Sequence, residues 1–118
     1  MSSRFTELVV DCRDPMRLAD FWSRILGYRV VDQDADLVEI GGDEPGPTIV
    51  FVQVPEEKEV KNRLHIDVSP RDREQDEEVE RIVGLGARRI DIGQGEVSWV
   101  VLADPEGNEF CVLRTRRP

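Results

Sequence analysis

Apolar residues recur at two periods along this chain, and the periods alternate in the same order in both halves. From residue 5 to 12 the period is two. Leu8, Val10 and Cys12 fall on one face and Glu7, Val9 and Asp11 on the other, as in a strand covered on one side. Asp14-Pro15 then predicts a helix start, with Asp14 as the cap and Pro15 in the first turn, where a missing N–H costs nothing. Leu18, Phe21, Trp22, Ile25 and Leu26 form one stripe at helical spacing, which makes Trp22 a core residue, and Gly27 supplies the stop. Strands are predicted next over 28–32, 37–40 and 48–54, separated by Gly, Pro and Asp residues that favour turns. The unit is βαβββ.

The second half repeats this order, with a strand predicted over 63–68, a helix over 72–85, and strands over 87–92, 96–103 and 108–114. Its helix has a narrower stripe of Val79, Ile82 and Val83, with Glu74, Asp76, Glu77, Glu78 and Glu80 expected to face water. Glu77 and Arg81 lie one turn apart in the favourable orientation, a pairing that contributes only about 0.3–0.5 kcal/mol. Residues 55–62 are charged and aperiodic, as expected of a connector.

The repeat reaches individual residues. Glu7-Leu8-Val9-Val10-Asp11 precedes Asp14 as Leu64-His65-Ile66-Asp67-Val68 precedes Asp72, and Leu26-Gly27 and Leu85-Gly86 close the two helical stretches. Glu7 and the sole histidine, His65, therefore occupy equivalent positions, which a pseudo-twofold fold would bring together. Two copies are too few for a solenoid. A chain of 118 residues suits one domain spanning 1–118, with module one over about 4–54, the connector over 55–62 and module two over about 63–115, sharing one core.

Charge and composition narrow the partners. A net charge of −9 argues against nucleic acid, whose binders concentrate Lys and Arg, and the basic end at Arg114, Arg116 and Arg117 reads as a solvated tail. The longest apolar runs, such as 99–103, are too short to span a bilayer, and the first residues do not resemble a signal peptide, so a cytoplasmic protein with no membrane partner is expected. Cys12 and Cys111 are too few for a disulfide framework and should be reduced. No nucleophile elbow, phosphate-binding glycine loop, zinc-finger spacing or dinucleotide fingerprint is present. Open strand edges predict a homodimer.

The turn Asp104-Pro105-Glu106-Gly107-Asn108, with the apolar run before it and Glu109-Phe110-Cys111-Val112-Leu113 after it, resembles the glyoxalase, bleomycin-resistance and extradiol-dioxygenase superfamily, also called vicinal oxygen chelate. The resemblance extends to Asp14-Pro15, Phe21-Trp22, Leu26-Gly27-Tyr28 and Asn62-Arg63-Leu64-His65-Ile66-Asp67, and is strongest to the small glyoxalase-like proteins. It implies an α+β fold of two βαβββ modules forming a curved, cup-shaped mixed sheet with the helices outside and a ligand within. Metal-using members take ligands from the first and last strands of each module. Carried onto this sequence, those positions are Glu7, His65 and Cys111, with Gln53 for the last strand of module one, while Glu109 lies two residues before Cys111 and can substitute for it. The chain departs from the family at Cys111, where Glu is usual, and at Gln53, a poor transition-metal ligand. Thiolate beside carboxylate suits zinc better than magnesium or manganese. The implied cofactor is either none or one divalent ion among zinc, nickel, manganese and iron, and three ligands with an open position suffice for catalysis.

Alternation places His65 and Asp67 opposite Leu64, Ile66 and Val68. Phe51 and Ile49 share a face with Gln53, an apolar lining with one polar fixing point. Trp99 either packs under a helix or forms an aromatic wall, and Cys111 is either a small buried hydrophobe or a thiolate ligand. Three readings follow, and the fold alone does not choose among them. One is a metal-free protein that binds a small molecule in the cup through Phe51, Gln53, His65, Asp67 and Trp99. The second is a divalent-metal-dependent lyase, isomerase or dioxygenase using Glu7, His65 and Glu109 or Cys111, with Asp67 moving a proton. The third is a purely structural or regulatory module without a ligand.

Overall fold

The computed structural model describes residues 1–114, so Arg116 and Arg117 of the predicted basic tail lie outside the described residues. The chain divides into two compact units, Met1–Glu57 and Lys58–Pro118, and among the described residues each holds one helix and one four-stranded mixed sheet. Both have the order βαβββ, the α+β arrangement that the repeat predicts.

In the first unit β1 (Glu7–Cys12), α1 (Pro15–Leu26), β2 (Arg29–Asp34), β3 (Leu37–Gly41) and β4 (Thr48–Gln53) follow in sequence, with the sheet order β1-β4-β3-β2. β1 runs parallel to β4 and the other pairs are antiparallel. The register sets Leu8 beside Ile49, Val10 beside Phe51, Ile40 beside Ile49 and Val38 beside Phe51, so these six share one face. α1 packs over β3 and β4 with Leu18, Phe21, Trp22 and Ile25 buried, each such side chain contributing about 1.5–3 kcal/mol of transfer free energy. Phe21 and Trp22 meet edge to face with centroids 5.5 Å apart. Both helix ends form as the sequence predicts: Asp14 Oδ1 accepts the Arg17 N–H at 3.2 Å, and Gly27 takes a left-handed φ of 69°. β2 is an exposed edge strand, bulged between Val30 and Asp32.

In the second unit β5 (Ile66–Val68), α2 (Gln75–Gly84), β6 (Arg88–Arg89), β7 (Val100–Ala103) and β8 (Glu109–Val112) build a sheet of order β5-β8-β7-β6, again with the first strand parallel to the last. The strands are shorter than the sequence predicts. Arg63, Leu64 and His65 precede the ladder, and Leu64 is exposed. The strand predicted over 87–92 keeps only Arg88–Arg89, because Asp91 and Gln94 cap the backbone N–H groups of Gly93 and Ile92 and turn the chain away. Ser98 is outside β7, its carbonyl accepting from the Gln75 side chain.

α2 corrects two expectations. It starts at Gln75, where Glu77 accepts the Glu74 N–H in a capping box, so Glu77 does not pair with Arg81. Arg81 instead binds both carboxylate oxygens of Glu78, each at 2.8 Å, and Glu78 is only 7% exposed rather than facing water. α2 packs on β8, with Val79 and Ile82 buried. Among the described residues no helix is long and apolar enough to cross a membrane.

Candidate functional site

The second sheet gathers three of the sequence-predicted residues. Asp67 and Cys111 are register partners across the parallel pair β5 and β8, so their side chains leave the sheet on the same side. Ile66 and Phe110 are partners in the other phase, as are Val68 and Val112, and this apolar set matches the buried stripe of α2. His65 stands one residue before β5 in the phase of Asp67, with its Nε2 3.2 Å from Asp67 Oδ1. One donor atom from each of His65, Asp67 and Cys111 lies within 4.8 Å of the others.

The electrostatics of this group are uneven. The His65 and Asp67 side chains are 45% and 46% exposed, whereas Cys111 is 6% exposed. Burial pushes the Cys111 thiol up, and the charge of Asp67 and its hydrogen bond to the thiol push further in the same direction, against a smaller opposing pull from Lys61. The thiol is therefore protonated at neutral pH beside the Asp67 carboxylate, which also faces the imidazole. Imidazole, carboxylate and sulfur at this spacing form a donor set that fits zinc, and a divalent cation there would favour the thiolate that burial disfavours.

Glu109 is engaged elsewhere. It occupies the phase of Cys111 on β8, but Oε2 accepts from Lys58 Nζ at 2.9 Å and Oε1 from the Asn62 N–H at 3.0 Å. Burial alone would raise its carboxyl, yet the Asn62 N–H and the Lys58 ammonium outweigh it and hold the group below the usual carboxylate range.

The first sheet separates residues that the sequence suggested could act together. Glu7 pairs with Thr48 at the start of β1 and is exposed on the phase of Val9 and Asp11. Gln53 pairs with Cys12 and so shares the phase of Ile49 and Phe51, opposite to that of Glu7. It lines a groove of about 490 Å³ with Arg13, Met16, Gln33 and Leu37, and its amide donates to the Arg13 carbonyl at 3.4 Å. The last-strand residue beside Glu7 is thus Thr48, whose hydroxyl donates to Glu39 at 2.6 Å. Phe51, at 1% exposure, is a core residue. Trp99 is 40% exposed, one residue before β7 and in phase with Val101, the partner of Cys111.

Sequence reasoning missed Thr48, Glu39, Lys58 and Lys61. Thr48 was hidden because Ile49, Val50 and Phe51 are all buried, which removes the alternation that would show which face each residue occupies. The two lysines lie in the aperiodic connector, where no spacing rule singles them out.

A family model for the glyoxalase-like domain matches residues 7–113. No curated protein matches the chain. Among solved structures, the fold is similar to a glyoxalase/bleomycin resistance protein/dioxygenase family enzyme from Burkholderia phytofirmans PsJN, at 18% identity over 93% of this chain and 97% of that one, TM-score 0.71. It is also similar to the genomically encoded fosfomycin resistance protein FosX from Listeria monocytogenes, at 17% identity over 98% of this chain and 93% of that one, TM-score 0.74. A mutant of that Listeria protein, complexed with Mn(II) and 1S,2S-dihydroxypropylphosphonic acid, is similar at 19% identity over 96% of this chain and 90% of that one, TM-score 0.72. The family model runs from the first residue of β1 to the residue after β8 and so takes in both βαβββ units; the chain belongs to the glyoxalase-like domain family.

Proposed function

We propose that this chain, acting as one cytoplasmic domain, binds a small organic molecule on the open face of the second module's sheet without needing a resident metal. His65 and Asp67 supply the polar contacts and Trp99 the aromatic surface. The observation that carries this is the internal satisfaction of the polar group, in which the carboxylate of Asp67 faces both the imidazole and a protonated thiol. Such a group is stable without an ion, and its half-exposed members can exchange hydrogen bonds with a ligand. Assembly as a homodimer belongs to the same proposal, supported by the exposed edge strand β2 with Val30 and Val31 uncovered.

The test is a small-molecule screen read by thermal stability, with His65→Ala and Asp67→Asn as controls. A true ligand at one hundred times its Kd stabilises by about 2.7 kcal/mol, and both substitutions should abolish the gain. Ligands that stabilise wild type and both variants equally would place the binding site elsewhere.

A second proposal is favoured by the 4.8 Å convergence of three metal-competent donors and by the Mn(II) complex of the Listeria relative. Here His65, Asp67 and Cys111 would hold a divalent ion, which when bound polarises a substrate oxygen as a Lewis acid. Cobalt(II) titration decides between the two, since thiolate coordination gives a charge-transfer band that Cys111→Ser must remove. A titration with no such band and no thermal shift from zinc, nickel, manganese or iron(II) leaves only metal-free binding.

A further inference from the structure

We propose that Glu109 is a positioning residue: with Lys58 it forms a shielded latch that fixes the end of the connector on β8 and so sets where His65 stands relative to Asp67 and Cys111. The inference rests on the proposed site and assigns Glu109 a role distinct from ligation.

The connector needs such a device. Residues 58–65 form neither helix nor strand, and Val60 and Leu64 are exposed, so neither anchors this segment by burial. The contacts that tie it to β8 and the turn before it are polar. Lys58 reaches Glu109 Oε2, the Asn62 N–H reaches Glu109 Oε1, and the Asn62 amide donates to Asn108 Oδ1 at 3.0 Å. The Lys58 and Glu109 side chains are 19% and 11% exposed, so water competes weakly for this pair, unlike the exposed pair of Arg13 with Glu57.

His65 stands three positions after Asn62, a reach of at most about 10 Å for extended chain. His65 therefore hangs between the Asn62 anchor and the first ladder residue, Ile66. Both oxygens of Glu109 are occupied by these contacts, which leaves the carboxylate holding the loop and not the polar group.

Because His65 is the only histidine, its imidazole gives a single, assignable set of NMR signals. The test measures these signals and amide hydrogen exchange over 58–65 in wild type, Glu109→Ala, Glu109→Gln and Lys58→Met, with Glu57→Gln as the exposed control. Glu109→Ala should speed exchange at Asn62 through His65 on the order of tenfold or more and move the imidazole signals toward those of a free histidine. Glu109→Gln keeps an acceptor for the Asn62 N–H and should restore most of the wild-type signals. If Glu109→Ala does not fold, Lys58→Met must still show faster exchange at Lys58 through Asn62. Unchanged exchange and unchanged imidazole signals in these variants would overturn the latch, as would loss of a cobalt charge-transfer band with both readouts intact, which would make Glu109 a ligand. A site that binds neither metal nor ligand would defeat the proposed function while leaving these two readouts to decide the latch.

Discussion

Asp67→Asn probes the center of the polar group, because it removes the charge beside the thiol while keeping the shape of the side chain. Unit charges within 4.8 Å of each other at an effective dielectric near 20 interact by about 3.5 kcal/mol or more before solvent screening. Asp67 is 46% exposed, and solvent screening reduces this to about 1 kcal/mol. Cys111 in Asp67→Asn should therefore titrate lower than in wild type, because the charge and hydrogen bond of Asp67 both raise it. It should still titrate above an ordinary thiol, since burial, the larger cause of its upward shift, is untouched. The measurement is the carbon-13 shift of the Cys111 Cβ against pH in a Cys12→Ser background, which needs no reagent access to a buried sulfur. A midpoint that is unchanged or raised would refute the contact between Asp67 and the thiol, and with it the three-residue group.

Three further outcomes follow. Phe51→Ala should cost about 3–5 kcal/mol in denaturant unfolding, because the ring is buried in the face that α1 covers, whereas Trp99→Ala should cost less than about 1 kcal/mol and weaken ligand binding instead. Glu78→Gln should destabilise by about 1–3 kcal/mol through its buried ion pair with Arg81, more than the roughly 1 kcal/mol expected when Glu77→Ala breaks the capping box; equal losses would contradict the partner exchange seen in α2. Stability should also fall at alkaline pH through Cys111. With its folded pKa raised, the unfolded thiol loses its proton first, so the group contributes nothing below about pH 8.5 and an increasing loss above it, and Cys111→Ala should flatten that limb of the curve.

The fold was legible where periodicity and punctuation agreed. α1 carries a cap, a first-turn proline, a full apolar stripe and a terminal glycine, and each feature appears where the sequence places it. α2 has only a thin stripe, so its start was set by a local choice: Glu77 caps the Glu74 N–H, which frees Arg81 for Glu78. The strand ends in the second module were illegible for the same kind of reason. Side-chain caps from Asp91 and Gln94, and the hold of Gln75 on the Ser98 carbonyl, decide where the ladder stops, and none of them leaves a mark on hydrophobic alternation.

The site was half legible, and the division follows from what strand phase can report. In β5 the alternation of Ile66, Asp67 and Val68 is clean, so the face of Asp67 and the phase of His65 could be read from the chain. In β4 the shared face of Ile49, Phe51 and Gln53 is the one the sequence indicates, but the register across to β1 pairs Glu7 with Thr48, so Gln53 does not join Glu7 as a last-strand ligand. Glu109 has the right phase, yet its carboxylate is committed to Lys58 and Asn62, a long-range pairing that no local pattern encodes. Replacing the family's usual Glu with Cys111 therefore removes a carboxylate that Glu109 does not restore, and the negative charge of the group falls to Asp67 alone. A neutral thiol and one half-exposed carboxylate attract a cation less than two carboxylates would, and ionising the thiol works against both burial and Asp67. That balance is why metal-free binding is the first reading of this site and a thiolate-bound ion the second.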